Sequence, residues 1–265
     1  MIQSLHLEKR VEVALLAAKR AGAYLLETGR TADFTVTQKA ANDFVTDADT
    51  KSEAIIIQTI KEHFPHDAIF AEESGKAGES GKGRWIIDPI DGTMNFSRSI
   101  PGYTISIAWE LEAYEPLVGV VFNPRQDELF WASAGSGAYL NGATIGVSHI
   151  TDPKHALVAT VPPHRHHDHY DQYAQQAKRL ALGTSDFRSY GSCALEMAYI
   201  AAGRIDAYYE MWLGYYDMAA GLALVREAGG IVGPADPNVP FSDGRCDVVA
   251  SNGLIHPHIL HMVQQ

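Results

Sequence analysis

Apolar residues return every three or four positions at the start of the chain. Leu7, Val11, Ala14, Ala18, Ala21 and Leu25 share one helical face, and Gly29 offers a stop. A polar stretch, residues 31–42, follows. A second helix is predicted over about residues 50–64, where Thr50 and Glu53 have capping-box spacing and Pro65 ends the run. Residues 68–71 read as a short strand leading to Glu72-Glu73-Ser74. Residues 75–83 are a polar, glycine-rich excursion. Trp85-Ile86-Ile87 is an apolar strand running into Asp88. From residue 103 to 145 the pattern turns to strands, at 105–111, 117–122 and 128–132, with turn chemistry such as Asn123-Pro124 between them. This predicts an antiparallel meander with Gly135, Gly137 and Gly142 in its last part. The second half alternates: strand 157–161, helix 170–182, helix 194–202 stopped by Gly203, strand 206–210, helix 217–228 stopped by Gly229-Gly230, strand 248–251 and helix 257–263. With no internal repeat or linker, residues 1–148 and 149–265 are expected to pack as subdomains of one α+β unit.

The composition narrows the function. Of 265 residues, 46% are apolar and 20% charged, a globular profile able to bury a full core. A formal charge of −11 opposes direct nucleic-acid binding. An acidic protein that handles phosphates needs cations, and carboxylates that gather divalent metals would supply them. Cys193 and Cys246 form neither a disulfide framework nor a zinc spacing. The N-terminus lacks an apolar signal core, and no apolar run is long enough to span a bilayer. These features predict a soluble cytoplasmic protein.

The densest chemistry lies between Trp85 and Phe96. An apolar strand delivers Asp88 and Asp91 at its end, Pro89 stiffens the turn between them, and Gly92 permits a close approach. A helix starting near Thr93 would aim free N–H groups at the same place, which favours a phosphate. Magnesium takes hard oxygen ligands, and two such ions can clamp both ends of an in-line displacement. Further carboxylates stand ready at Glu72, Glu73 and Asp217. The 75–83 excursion is not a nucleotide-binding loop, because the spacing to Gly81-Lys82 is wrong and Gly83 sits where Ser or Thr is needed.

Four blocks together resemble the inositol monophosphatases, most closely the bacterial extragenic-suppressor type. They are Asn42 to Asp49, Glu72-Glu73-Ser74-Gly75, Asp88 to Phe96, and Asp217-Met218-Ala219-Ala220-Gly221 with Glu227-Ala228-Gly229-Gly230. Arg188 to Ala194 and Gly203 to Glu210 match as well. The resemblance implies a layered αβαβα sandwich of the sugar-phosphatase type, a homodimer, magnesium dependence and lithium sensitivity. It implies that Glu72, Asp88, the carbonyl of Ile90, Asp91 and Asp217 hold the metal, with Asp88 bridging two ions. Asp91, Gly92, Thr93 and Asp217 would line the substrate's phosphate. Thr93, oriented by Asp49 and assisted by Glu72, would serve the attacking water. Glu210 would accept substrate hydroxyls, and Arg188, Gly191, Ser192 and Cys193 would complete the wall.

The implied reaction is hydrolysis of a small phosphorylated polyol, myo-inositol 1-phosphate first, by magnesium-activated water without a phosphoenzyme. Fructose 1,6-bisphosphatase, bisphosphate nucleotidase and histidinol-phosphate phosphatase activities share the fold, and a regulatory binding protein with incidental phosphatase activity is a rival of another class. The chain departs from the family at Tyr216, where Trp is common, at Gly214 and Tyr215, and in the loop Val161-Pro162-Pro163-His164-Arg165-His166-His167-Asp168-His169. These positions bear on the substrate more than on the chemistry. The loop histidines fit no familiar zinc spacing and read as solvated, and Cys193 reads as a small apolar side chain rather than a nucleophile.

Overall fold

The computed structural model describes residues 6–31, 34–40, 43–78 and 83–264. Asn42 of the first resemblance block, Gly81-Lys82 of the excursion and parts of the polar 31–42 stretch lie outside them.

Helix α1 (Leu7–Thr31) buries the predicted alanine-rich face. It passes Gly29, because the Thr31 hydroxyl donates back to the Glu27 carbonyl and keeps the last turn closed. Strands β1 (Val36–Ala40) and β2 (Asp43–Thr46) pair as an antiparallel hairpin within and beyond the polar stretch. Helix α2 (Asp47–His63) begins three residues before Thr50. Its cap is Thr46, whose hydroxyl accepts from the Ala48 N–H while Asp49 accepts from the Thr46 N–H at 2.7 Å. Glu53 is thereby freed from capping. It accepts from the N–H groups of Glu73 and Ser74 at 2.8 and 2.9 Å, and so pins the turn that carries Glu72.

The first sheet has eight strands: β3 (Ala68–Ala71), β4 (Gly75–Ala77), β5 (Arg84–Asp91), β6 (Thr104–Glu110), β7 (Pro116–Asn123), β8 (Glu128–Ser133), β9 (Gly137–Leu140) and β10 (Ala143–Ile145). Their order is β10-β9-β8-β7-β6-β5-β3-β4, and only β3 and β5 run parallel. The second sheet comprises β11 (Leu157–Thr160), β12 (Asp186–Arg188), β13 (Ala207–Gly214), β14 (Ile231–Pro234) and β15 (Arg245–Ser251), ordered β12-β11-β13-β15-β14.

Helices α5 (Cys193–Ala201) and α6 (Tyr215–Glu227) fill the space between the sheets, against Ile86, Ala108 and Val121 on one side and Tyr208 and Val248 on the other. Trp85, Ile87, Ile105 and Ile107 point the opposite way, onto α1 and α2. Helices α4 (Tyr170–Gly183) and α7 (His256–Gln264) cover the outer face of the second sheet. The result is an αβαβα sandwich. Both faces of the first sheet are covered, which explains why its strands read as apolar runs rather than clean alternations. Each fully buried Ile or Trp contributes about 1.5–3 kcal/mol or more by leaving water. Helix α6 crosses β7 so closely that a Cβ at Gly119 would lie 2.4 Å from the Ala220 carbonyl oxygen. That contact fixes the height of α6, and with it Asp217 near its start.

Candidate active site

Strand β5 runs through Asp88 to Asp91 without turning at Pro89. Opposite it, Asp88 pairs with Ser106 and Asp91 with Thr104, so three steps on β5 face two on β6. This bulge matters. In a regular strand, residues three apart point to opposite faces. The extra residue brings Asp88 and Asp91 to the same side and leaves Pro89 where no ladder N–H is needed. Asp88 helps close the bulge by accepting from the Ile90 N–H at 3.0 Å, and the Ser52 hydroxyl donates to the Pro89 carbonyl.

Gly92 then turns the chain at φ 92° into the five-residue helix α3 (Thr93–Ser97). A Cβ there would meet the carbonyl oxygens of Gly102 and Gly191 at 3.0 and 3.2 Å, so the position needs glycine for conformation and for space. The Thr93 hydroxyl lies 3.1 Å from both Asp49 Oδ1 and the Ile90 carbonyl. Asn95 donates to the carbonyls of Gly102 and Tyr190, tying α3 to the segment that leads into α5.

Asp217 is the third residue of α6 and accepts from the Gly214 N–H at 2.6 Å. Carboxylate oxygens of Asp88, Asp91 and Asp217 all lie within 4.8 Å of one another, and all three residues are buried. Their electrostatics follow. Burial raises Asp88 well above the ordinary carboxylate range, and Glu72, Asp91 and Asp217 push it further. Asp91 is pushed up to about 7 by burial and by Asp217, against the hydrogen bonds from Ser192 and the start of α5. Burial also raises Asp217, while Arg165 and Arg245 pull it down. Three buried carboxyl groups this close cannot all ionise without a compensating cation. A hard divalent ion meets that need with the donors it prefers.

These three carboxylates open on a cavity of about 360 Å³, shared with Glu72, Ile90, Gly92, Thr93, Gly191, Cys193 and Glu210. Its pattern of residues is decisive when set beside known families. The model of the inositol monophosphatase family matches residues 6–265.

The chain belongs to the inositol monophosphatase family.

It is 41% identical over 224 residues to proteins named Nus factor SuhB from Vibrio cholerae and Escherichia coli, covering 84% of this chain and 84% of each relative. Among solved structures it is similar to the extragenic suppressor protein SuhB of Bartonella henselae, with a TM-score of 0.87 and 33% identity over 96% of this chain and 98% of that one. It is also similar to an inositol monophosphatase from Anabaena, with a TM-score of 0.82 and 34% identity over 98% and 96% of the two chains.

Not every family position expected from the motifs reaches the cavity. Arg188, at the end of β12 on the sheet edge, is exposed and paired with Asp186 at 2.6 Å, outside the lining. Ser192 stands behind Asp91, donating to its Oδ2 at 2.6 Å beside the Ala194 N–H at 2.7 Å. Asp49 reaches the cavity only through Thr93, and burial pushes its carboxyl up to about 6 against the bonds from Thr46. Glu73 is not part of the lining. Glu210 sits in the middle of β13 rather than at its end, because a bulge between Glu210 and Leu213 lets the strand continue to Gly214. The Tyr208 hydroxyl donates to Glu210. Desolvation and the neighbouring Glu196 carboxyl raise Glu210 well above its ordinary range. Three contributors carried no motif signal: Glu53 under the Glu72 turn, Thr104 beside Asp91, and Glu196, which accepts from the Tyr190 N–H.

Proposed function

We propose that the chain hydrolyses a small polyol phosphate monoester, myo-inositol 1-phosphate, using magnesium. The observation that carries this reading is the convergence of buried Asp88, Asp91 and Asp217 within 4.8 Å, in one cavity with Thr93 and Glu210. Glu72, Asp88, the Ile90 carbonyl, Asp91 and Asp217 would hold the ion. Magnesium supplies positive charge to the phosphoryl and leaving oxygens and lowers the pKa of water. The protein supplies the rest. The N–H groups at Gly92 and Thr93 face phosphate oxygens. Asp49, ionised near neutral pH, accepts the Thr93 proton and leaves a Thr93 lone pair to accept from the attacking water. Glu72, half-buried at the rim, takes up the proton. Glu210 accepts hydroxyls of the polyol, Gly191 and Cys193 form the facing wall, and Ser192 holds Asp91. The water oxygen bonds to phosphorus, the P–O ester bond breaks, and the leaving oxygen takes a proton from solvent water while Glu72 returns its proton to solvent.

The same reading makes the protein a cytoplasmic homodimer, with subdomains dividing near residue 148, in the stretch between β10 and β11. No described helix is long and apolar enough to cross a membrane. Net charge argues against direct contact with nucleic acid. A regulatory binding role is the second reading, and the Nus-factor names of the SuhB relatives favour it. A phosphate-release panel separates the alternatives. Inositol phosphates, sugar bisphosphates, nucleotide bisphosphates and histidinol phosphate are compared with and without magnesium. Magnesium-dependent release, fastest from inositol 1-phosphate, is expected. Full turnover in excess chelator, or no release from any ester, would refute the proposal.

A further inference from the structure

We propose that Arg165 is a substrate-binding residue whose guanidinium takes oxygens of the transferred phosphoryl group, and that His166 and His169, packed against Trp212, hold it in place. This rests on the phosphatase reading of the same site and adds a protein cation to it.

Arg165 lines the cavity that contains Asp88, Asp91, Thr93 and Asp217, and its Nε is buried. It sits on the loop leaving β11, which differs from the family pattern. That loop is clamped from outside. The rings of His166 and His169 lie 4.8 and 4.6 Å from the Trp212 ring, tilted by 33° and 32°. Trp212 holds φ 62°, a region that bulky side chains rarely occupy, and its N–H donates to Asp247 at 2.9 Å. The same bulge separates Glu210 from Leu213, and both line the cavity. One strained residue therefore couples the loop carrying Arg165 to the wall carrying Glu210.

Charge decides which part of the substrate Arg165 meets. The cations that act on Asp217 are Arg165 and Arg245, the latter 3.8 Å away. The charges that act most on Glu210 are those of Glu196, Asp217 and Asp91. Arg165 thus acts on the carboxylate cluster through Asp217, and it lines the cavity on which that cluster opens, where the phosphoryl group binds. A planar guanidinium matches two phosphate oxygens at once, which a lysine cannot do.

Calorimetric titration of inorganic phosphate in excess magnesium chloride tests this without requiring turnover. Arg165→Gln is expected to weaken phosphate binding roughly ten- to hundredfold, and Arg165→Lys to recover part of the loss. Trp212→Ala should weaken it as well, Trp212→Phe should retain it, and Trp212→Ala should add nothing in the Arg165→Gln background. If Trp212→Ala does not fold, the loop-side variant His166→Ala/His169→Ala tests the clamp with β13 intact. Wild-type protein that fails to bind phosphate, or Arg165→Gln binding it within about twofold of wild type, overturns the proposal. So does a defect confined to fructose 1,6-bisphosphate, which would move Arg165 to a second anion. A Trp212→Ala loss that persists without Arg165 overturns the clamp. Failure of the phosphatase reading would appear separately, as wild type that binds phosphate but releases none from any ester.

Discussion

Glu210→Gln separates recognition from chemistry. The substitution keeps shape and the acceptor for the Tyr208 hydroxyl, but removes the charge that a substrate hydroxyl would meet. A hydrogen bond to a charged acceptor is worth about 1.5–3 kcal/mol and a neutral one about 0.5–1.5, so the expected loss is about 1–1.5 kcal/mol. That is roughly a tenfold fall in kcat/KM on inositol 1-phosphate at alkaline pH, where the raised Glu210 carboxyl is ionised. A second phosphate on the substrate is repelled by the carboxylate, so activity on fructose 1,6-bisphosphate should hold or rise. The structure adds a second signature. The Glu210 carboxyl is raised by desolvation and by Glu196, so its charged form strains the fold. Above the ordinary glutamate range the variant should unfold at a higher temperature than wild type while recognising its substrate less well. The assay is phosphate release across inositol 1-phosphate, fructose 1,6-bisphosphate and 4-nitrophenyl phosphate, with thermal unfolding alongside. Asp217→Asn is the comparison and should depress every substrate alike. If Glu210→Gln fell equally on the aryl phosphate, which offers no hydroxyls, Glu210 would belong with the carboxylate cluster and the polyol assignment would lose its physical support.

Ser192→Ala should weaken magnesium binding about tenfold by calorimetry, since its 2.6 Å bond holds Asp91 ionised and aimed; unchanged affinity would remove Ser192 from the site. Glu53→Ala strands the N–H groups of Glu73 and Ser74 and should cost about 2–4 kcal/mol in denaturant unfolding, with reduced turnover because Glu72 is carried by that turn. In chelator, the folded protein should lose stability as pH rises. Asp49, Asp91 and Glu196 are raised to about 6, 7 and 8 in the fold, so the folded state binds more protons than the unfolded one and the stabilising effect fades through those values. Magnesium should flatten the profile; a metal-free unfolding temperature that climbs from about pH 5 to 8 would contradict the burial of these groups.

The local signals in the chain were the ones that need no partner. The α1 face, the meander and the Asp-Pro-Ile-Asp-Gly-Thr segment each express their chemistry within a few residues. Short or polar edges were not legible. The β1–β2 hairpin sits in a stretch with little apolar content, and β12 and β14 are edge strands of three and four residues, too short to show a period. The start of α2 is ambiguous in the sequence because Thr46/Asp49 and Thr50/Glu53 both have capping spacing. Only the position of the β3–β4 turn decides that Glu53 is needed elsewhere.

The site shows the same division in a sharper form. Ligand types could be read one by one, but their common direction could not. Asp88 and Asp91 point the same way because β5 bulges against β6, and that register slip is a property of two strands rather than one. Asp217 reaches them because Gly119 lets α6 lie on β7, a contact between residues about a hundred positions apart. Arg188 illustrates the converse. Its motif places it beside Gly191, Ser192 and Cys193, yet β12 ends the sheet on the far side of β11, so the chain must still turn through Gly191 at φ 73° before α5 enters the cavity. Adjacency in a motif does not by itself carry a side chain into a site. Ser189, one residue on, already lines the cavity, yet Arg188 is paired with Asp186 on the exposed sheet edge while Ser192 is buried against Asp91.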